Sequence, residues 1–337
     1  MDSTTPPGPE SFQHTPVLVD RVVELFSGVP AGWILDATLG GGGHAAAILD
    51  ARPDCTLVGI DQDDRAIAAA RSRLGRFGGR AVVVRSRFDR LGEIFSEVVG
   101  DTGKGVSGVL FDLGVSSPQL DEGERGFSYR HDGPIDMRMD RSRRRSAAEI
   151  VNTAAAAELA ATIRRYGDER YATRIAHAIV AARPLRSTAE LAKVVADAVP
   201  APARRQGHPA RRTFQALRVA VNEELEILAG SIDQAVDLLL PGGRCVAMSY
   251  HSGEDRIVKE RFRLAVTGGC ECPVGLPCQC GAVKRATFVR RKALRPTPEE
   301  VAANPRSESV RLRVVEAIAP READSRGSHD GLPPEAC

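Results

Sequence analysis

The sequence predicts an α/β fold in which a parallel sheet is interrupted by an all-helical insert. Short apolar runs alternate with helical patterns from residue 34 to residue 111. This alternation is typical of βαβ units, whose parallel sheet is buried on both faces. An alanine-rich helical stretch over residues 147–200 then separates the fourth predicted strand from two or more later strands. A chain of 337 residues is long enough for about two domains, each with its own core.

Four short apolar runs predict the first four strands, and acidic residues follow two of them. The runs cover residues 34–35, 57–60, 81–84 and 109–111. Asp61 ends the second strand and Asp112 ends the fourth. Open α/β sheets bind ligands beyond the carboxyl ends of their strands. We therefore expect both carboxylates to line one cleft.

The second half of the chain predicts a long helix and at least two closing strands. Apolar residues spaced by threes and fours from Phe214 to Leu239 predict one helix with a single buried stripe. A turn at residues 241–243 precedes a predicted strand at 245–248, and alternation from Val310 to Val314 is typical of a half-buried strand. The predicted domains are a sheet domain at 14–125 and 212–318, a helical insert at 126–211, and disordered ends at 1–13 and 319–337.

Composition excludes several classes of protein. No apolar run approaches the roughly 18 residues that a membrane span needs. The first 13 residues are polar, acidic and proline-rich, unlike a secretion signal. Seven cysteines fit a reducing compartment better than a disulfide scaffold. The sequence therefore predicts a cytoplasmic protein with no membrane partner, and it does not predict the oligomeric state.

Four consecutive glycines, Gly40–Gly43, follow the first predicted strand. Glycines at a strand end let the backbone turn sharply and approach a ligand where any Cβ would clash. Asp61 lies 21 positions after Gly40, where an acidic side chain can accept both hydroxyls of a ribose. Together these residues predict an adenosine-type ligand at the carboxyl edge of the sheet. The alternative is a plain tight turn.

Two adenosine cofactors fit this loop. Gly40, Gly42 and Ala45 match the G-x-G-x-x-A pattern of nicotinamide dehydrogenases, although a single match of this kind is weak. Asp36 stands just before the loop, where it would repel a pyrophosphate and attract a cationic amino-acid group. S-adenosylmethionine carries such a group, an ammonium beside a sulfonium, and has no phosphate. The predicted cofactor is S-adenosylmethionine, and an oxidoreductase is the second hypothesis.

The residues after the fourth strand are candidates for the reaction itself. Ser116-Ser117-Pro118-Gln119 is similar to the Ser/Asn/Asp-Pro-Pro-aromatic loop of enzymes that methylate exocyclic amines of bases. The amine of cytosine is a poor nucleophile, so acceptors must hold its N–H groups while a methyl group is placed in line. The predicted catalytic residues are Asp112, Ser117 and Pro118. Phe127 and Tyr129 either stack an extruded base or belong to the core of the insert.

Ordered motifs from residue 14 to about residue 315 resemble the bacterial small-subunit ribosomal RNA cytosine-N4 methyltransferase family. The motifs are residues 14–18, 36–44, 59–61, 112–119, 124–128, 132–140, 166–170, 208–210, 213–218, 249–252 and 304–306. The resemblance implies a Rossmann-like S-adenosylmethionine-dependent methyltransferase domain with an inserted helical domain. It also implies a cytidine in the decoding region of 16S ribosomal RNA as the target and the small ribosomal subunit as the partner.

By motif position, the resemblance implies a set of cofactor-binding residues. They are Gly42, Gly43, His44, Asp61, Phe88, Asp112 and Gln119. The chain departs from the family pattern at Gly253, where leucine is usual, and at Glu308, where arginine is expected. Neither departure touches the implied cofactor site.

Arginine clusters in three stretches favour a surface for a polyanion. They lie at residues 138–145, at 204–218 and at 284–295, and the last two contain no acidic residue. The predicted RNA-binding residues are Arg138, Arg143, Arg144, Arg205, Arg211 and Arg212. Two alternatives stay open: the clusters reflect genome composition, or the chain is an RNA-binding or assembly factor with a vestigial nucleotide fold.

Cys270, Cys272, Cys278 and Cys280 form a C-x-C-x5-C-x-C pattern. Four thiolates can close a tetrahedral zinc site, although single-residue spacers depart from the usual C-x2–4-C knuckle. The alternative is a reduced, exposed loop. In both cases the role is structural, because nothing couples these cysteines to the predicted cleft.

Overall fold

The computed structural model describes residues 16–100, 105–273 and 279–319, without the side chains of residues 205 and 206. Several predictions fall outside these ranges. They concern the predictions of disorder at 1–13 and, apart from residue 319, at 319–337, the motif residues His14 and Thr15, the cysteine Cys278 and the side chain of Arg205.

Seven strands within the described residues form one sheet. They are β1 Gly32–Asp36, β2 Cys55–Asp61, β3 Ala81–Arg85, β4 Val106–Asp112, β5 Leu239–Ser249, β6 Ala286–Phe288 and β7 Arg311–Ala317. Their order is β3-β2-β1-β4-β5-β7-β6, with β1 to β5 parallel and β7 antiparallel to both of its neighbours. The strand order turns back between β1 and β4, so the carboxyl ends of these strands form the ligand crevice typical of this architecture.

Thirteen α-helices lie within the described ranges. They are α1 Val19–Ser27, α2 Gly43–Ala51, α3 Asp64–Leu74, α4 Leu91–Val99, α5 Ser117–Asp121, α6 Ala147–Thr153, α7 Ala156–Gly167, α8 Ala172–Ala181, α9 Thr188–Ala198, α10 Arg211–Asn222, α11 Glu224–Leu238, α12 Ser252–Thr267 and α13 Pro298–Ala303. None of these helices has both the length and the apolar character that crossing a membrane requires.

The central strands are buried on both faces, which explains their continuous apolar runs. Ile34 and Leu57 pack into one core, with side chains from α1, α2 and α3. Leu35 and Val58, their neighbours along the chain, pack into a second core with α4, α11 and α12. Successive side chains of a strand point to opposite faces, so every position must be apolar. The predicted α/β fold with a Rossmann-like sheet is confirmed.

Helices α6 to α10 lie between β4 and β5 and form a third core of their own. Its buried members include Ile150, Leu159, Ile175, Leu191 and Phe214. The prediction of an all-helical insert is thereby confirmed. The third core includes apolar residues of α10 as far as Val221.

The prediction of a single helix from Phe214 to Leu239 is wrong. α10 ends at Asn222, α11 begins at Glu224, and Glu223 between them has a left-handed backbone with φ 56° and ψ 34°. Apolar residues of α10 pack into the core of the insert, whereas those of α11 pack against the sheet. The two stripes keep the same spacing along the sequence, so periodicity alone does not separate them.

Residues 241–243 lie inside β5 and do not form a turn before it. β5 begins at Leu239, and its pairing with β4 shifts register between Val106 and Gly108. Gly242, with φ 79°, lies in this irregular stretch. A bulge accommodates the extra residues while the chain stays in the sheet.

Candidate active site

The glycine loop connects β1 to α2 at the carboxyl edge of the sheet. Gly42 has φ 74°, a left-handed conformation that favours glycine, and α2 begins at the next residue. A Cβ on Gly43 would lie 2.5 Å from Cγ of Pro16, so the chain in front of the loop requires glycine there. The loop therefore keeps both its sharp turn and its close packing only with these glycines.

Asp61 at the end of β2 holds the loop in place. Its Oδ2 accepts the N–H of Gly40 at 2.8 Å, and its Oδ1 accepts the N–H of Asp63 at 2.8 Å. Burial raises the pKa of Asp61 to about 6, although these backbone donors oppose the shift. Each carboxylate oxygen has a second lone-pair site, so Asp61 keeps acceptor capacity for the predicted ribose hydroxyls.

Asp36, at the end of β1, is buried beneath the loop. Its Oδ1 accepts the N–H of Thr38 at 3.1 Å. Burial raises the pKa of Asp36 to about 7, and the nearby His44 opposes this rise. A carboxyl group of this kind gains from a cationic neighbour, because that neighbour stabilises its charged form.

Asp112 joins the ends of three strands. Its backbone N–H donates to Oγ1 of Thr38 at 2.5 Å, and its Oδ1 accepts the hydroxyl of Tyr250, after β5, at 2.7 Å. Its Oδ2 lies 3.5 Å from Nε2 of His44 in α2. Burial and the neighbouring Asp112 raise the pKa of Tyr250 well above its ordinary value. The phenol therefore stays protonated and donates to the carboxylate.

Gln119 fixes the loop that follows β4. The amide is buried; its Oε1 accepts the N–H of Ser116 at 3.0 Å and its Nε2 donates to Oδ2 of Asp63 at 2.8 Å. Arg125 also pairs with Asp63, at 2.7 Å. Asp63 in turn accepts the N–H of Arg65 as the N-cap of α3. One buried carboxylate thus ties the Ser116–Gln119 loop to the end of β2.

These groups surround a cavity of about 270 Å³. Six of the seven predicted cofactor residues and two further predicted catalytic residues line it: Gly43, His44, Asp61, Phe88, Asp112, Gln119, Ser117 and Pro118. Gly42 is not among the lining residues, and its contribution is the backbone turn. Both ring nitrogens of His44 are buried and lack a hydrogen-bond partner within the described residues.

A second cavity, of about 320 Å³, lies beside the first. It is bounded by the start of α10 with Arg211 and Arg212, by residues of the insert, and by Tyr250 and His251. Tyr250 lines both cavities. The two spaces therefore meet at the side chain whose hydroxyl donates to Asp112.

The profile of the MraW methylase family matches residues 11–318 of this chain. The chain belongs to the MraW methylase family. Three relatives in this family are each named ribosomal RNA small subunit methyltransferase H. The protein of a Geobacter species is 50% identical over 315 residues, covering 92% of this chain and 100% of the relative. The proteins of Symbiobacterium thermophilum and Acidothermus cellulolyticus are 49% and 48% identical, covering 90% and 94% of this chain and 96% and 98% of their own.

Among solved structures, an rRNA methylase from Streptococcus thermophilus is 10% identical to this chain, with a TM-score of 0.40. The alignment covers 91% of this chain and 99% of that chain. A similarity this distant adds nothing to the assignment, which rests on the family profile and the sequence relatives.

Membership of the MraW methylase family confirms S-adenosylmethionine as the cofactor and removes the oxidoreductase hypothesis. The residues of the first cavity fit this molecule. Asp61 offers acceptors for ribose hydroxyls, and the unpartnered nitrogens of His44 offer buried polar contacts. Asp36 adds negative charge under the glycine loop, which suits the cationic end of the cofactor.

The predicted RNA-binding arginines of this MraW-family chain do not form one cluster. Arg138 donates to Asp136 and to carbonyls of its own loop, and Arg143 pairs with Glu223 at 2.7 Å. Arg212 donates to the carbonyl of Asp168 at 3.0 Å. The side chains of Arg144 and Arg211 are exposed and make no hydrogen bond or ion pair within the described residues.

The two aromatic candidates for base stacking lie in the insert. Phe127 is 5% exposed and belongs to the core of the insert. Tyr129 stacks on His208, with ring centroids 4.2 Å apart, and meets Phe214 edge to face. The structure therefore favours the core interpretation for both residues.

His251 caps the N-terminus of α12 through its Nδ1, which accepts the N–H of Gly253 and Glu254. A Cβ on Gly253 would lie 3.1 Å from the His251 ring and 3.1 Å from Leu225. The space around Gly253, where the family usually has leucine, is therefore tight. Glu308 is exposed on the surface. These contacts give His251 a structural role as the N-cap of α12.

Three residues that hold the site were missed by sequence reasoning: Thr38, Asp63 and Tyr250. Asp63 carries a local signal, because an aspartate before Asp64 and the helical pattern that follows is typical of an N-cap. Thr38 and Tyr250 carry none, since their contacts with Asp112 depend on how distant strands pair.

Proposed function

We propose that this MraW-family chain transfers a methyl group from S-adenosylmethionine to the exocyclic N4 of a cytidine in the decoding region of 16S ribosomal RNA. The names of the relatives support the small-subunit RNA as the substrate. The motifs after β4 support the exocyclic amine as the acceptor. We further propose that the protein acts in the cytoplasm, where the small ribosomal subunit is its partner.

The position of Tyr250 is the main support for this proposal. Tyr250 lies between the two cavities and donates its hydroxyl to Asp112, so a base entering from the second cavity would meet Asp112 next to the cofactor site. S-adenosylmethionine supplies an electrophilic methyl group on a sulfonium. The chain must then present a nucleophilic nitrogen in line with it, and most of the rate gain comes from this positioning.

Asp112 is the proposed catalytic residue. An amine of cytosine donates both of its N–H groups readily, so an acceptor held at a fixed position orients it and favours its pyramidal form. Oδ1 of Asp112 is oriented by Tyr250, while Oδ2 faces His44 across 3.5 Å. Ser117 and Pro118 line the same cavity and are proposed to hold the other edge of the base.

The helical insert is proposed to be the RNA-binding domain, with boundaries at residues 126–211 and the sheet domain at 14–125 and 212–318. The second cavity supports this role because insert residues and the start of α10 bound it together. Exposed Arg211 is available to a phosphate there, and exposed Arg144 extends the basic surface. The remaining predicted contacts, Arg138, Arg143, Arg205 and Arg212, are proposed as secondary.

The test is methyl transfer to small subunits from cells that lack this activity, followed by mass analysis of the modified nucleoside. Asp112→Ala should lower the rate of transfer by about 10²–10³-fold while RNA affinity is unchanged. Tyr250→Phe keeps the ring and removes the hydroxyl, so a smaller loss is expected. Asp197→Ala removes an exposed carboxylate of α9 that lines neither cavity and serves as the control.

Two results would overturn the proposal. A wild-type protein that binds small subunits and cofactor without methylating them would be an assembly factor. A product methylated at a ring carbon would show that the acceptor is not the exocyclic amine.

A further inference from the structure

A cluster of thiols lies outside the lining of both cavities, in the loop between α12 and β6. Cys270 and Cys272 stand on the outgoing limb of this loop, and Cys280 stands on the returning limb. Their three Sγ atoms lie within 4.8 Å of one another. Cys270 and Cys272 are half-buried and Cys280 is exposed.

The backbone brings the two limbs together independently of the cysteines. Gly268, with φ 64°, ends α12, and a Cβ there would lie 2.5 Å from the carbonyl oxygen of Val283 on the returning limb. The N–H of Arg285 donates to the carbonyl of Ala265 at 2.8 Å. These two contacts close the loop where it leaves α12 and where it approaches β6. The three Sγ atoms lie close together in the part of the loop beyond this closure.

The arrangement of the thiols fits a tetrahedral metal. Zinc–sulfur bonds of about 2.3 Å in a tetrahedron place the sulfur atoms about 3.8 Å apart. The Sγ atoms of Cys270, Cys272 and Cys280 are at most about 1 Å farther apart than that spacing. Soft thiolate ligands select zinc over the oxygen-seeking cations, and a set of thiolates in tetrahedral geometry suits zinc or an iron–sulfur cluster.

We propose that Cys270, Cys272 and Cys280 bind one zinc ion with a structural role. Cys278 completes the sequence pattern and lies outside the described residues. The segment after Cys280 contains no acidic residue up to Pro298, and its first basic residue is Lys284, which suits the negative charge of a zinc–thiolate centre.

The first experiment measures metals in the full chain purified without chelators. Elemental analysis should find about one zinc ion per chain in the wild type. Cys272→Ser and Cys280→Ser should each lower the zinc content at least about tenfold. Cys55→Ala, at a buried cysteine of β2 outside the cluster, should keep the metal and controls for loss of a cysteine. S-adenosylmethionine binding should be unchanged in all variants, because no described residue of the loop lines the cofactor cavity.

A second measurement keeps the proposal testable if the serine variants fail to fold. Cobalt substituted into the wild-type chain should give the intense visible bands of a tetrahedral thiolate site, and added zinc should abolish them. Iron in place of zinc, no zinc after reconstitution, or full zinc content in both serine variants would each overturn the proposal. A chain that instead shows these cysteines joined as disulfides under reducing purification would overturn it as well.

Discussion

Both oxygens of Asp61 accept backbone N–H groups, one from Gly40 in the glycine loop and one from Asp63. Burial of its carboxyl group raises the pKa of this residue to about 6. Loop geometry and carboxylate charge are therefore linked, because protonation of Asp61 weakens an acceptor that the loop uses and that the proposed ribose contact requires. Asp36, with a pKa of about 7, lies beneath the same loop and shifts in the same direction.

We expect cofactor affinity to fall as pH is lowered through the pKa of Asp61. Only the ionised carboxylate accepts fully, so S-adenosylmethionine should bind about tenfold more weakly at pH 5 than at pH 8. Titration calorimetry across this range measures the effect, and ionisation of Asp36 adds to it near pH 7. Asp61→Asn should bind weakly at every pH, with a flatter profile. A wild-type affinity that stays constant from pH 8 to pH 5 would contradict this interpretation.

The sequence predicts the position of single carboxylates better than it predicts their hydrogen-bond partners. Asp61 and Asp112 were placed in one cleft because each follows a parallel strand, and the structure lines one cavity with both. The partner of Asp112 was not predictable. Tyr250 is 138 positions away, and no local pattern says that its hydroxyl meets this carboxylate.

Asn222 links two elements that the sequence presents as one. It is the last residue of α10, and its side chain accepts the N–H of Met139 at 2.9 Å and donates to the carbonyl of Met137 at 2.8 Å. Glu223, next along the chain, pairs with Arg87 at 3.0 Å. Side chains at the break between α10 and α11 therefore contact both the loop of residues 137–139 and Arg87, which follows β3. These contacts stabilise the break.

Replacing Asn222 by alanine should lower the free energy of unfolding by about 2–4 kcal/mol, because two buried backbone groups lose their partner. Denaturant unfolding measures this loss. Asn152 is a matched control: its amide makes two hydrogen bonds with Leu185 but is only half-buried, so water can replace them. Asn152→Ala should cost less. Equal losses in the two variants would show that burial of Asn222 is not decisive.

The sequence predicts whether an element is a helix or a strand where the spacing of its apolar residues and its composition indicate the same type. The strands before the insert follow from continuous apolar runs, since a strand buried on both faces needs apolar residues throughout. The division of residues 214–239 into two helices was not predictable, because a single left-handed residue, Glu223, leaves the apolar spacing intact. Which core each half joins is decided by tertiary packing.

At the scale of the whole molecule, the two cavities share Tyr250, and their walls come from both the sheet and the insert. The sheet side carries the residues proposed to contact the cofactor, and the insert side carries exposed basic residues. Under the proposed function, methyl transfer takes place on the sheet side and RNA binds on the insert side. Changes on the insert side should therefore affect RNA binding without affecting the cofactor.

Arg211→Ala should raise the Michaelis constant for RNA and leave S-adenosylmethionine affinity unchanged. Arg211 lines the second cavity and is exposed, so the loss of one phosphate contact should reduce the slope of log affinity against log salt by about 0.7. Arg174→Ala, on an exposed face of α8 outside both cavities, should leave the slope unchanged. Filter binding at several salt concentrations measures both. The same slope in Arg211→Ala as in the wild type would exclude this arginine from the RNA contact.

The insertion of the helices between β4 and β5 has a consequence for synthesis of the protein. Asp112 leaves the ribosome long before Tyr250, which follows 138 residues later, so a nascent chain holds four strands and the glycine loop without a finished site. Bringing β4 and β5 together across so many residues costs less conformational entropy once the insert has folded around its own core, because a folded insert brings its two ends near each other. Cofactor affinity gained from the glycine loop can therefore precede the capacity for transfer, which arises only when β5 docks beside β4.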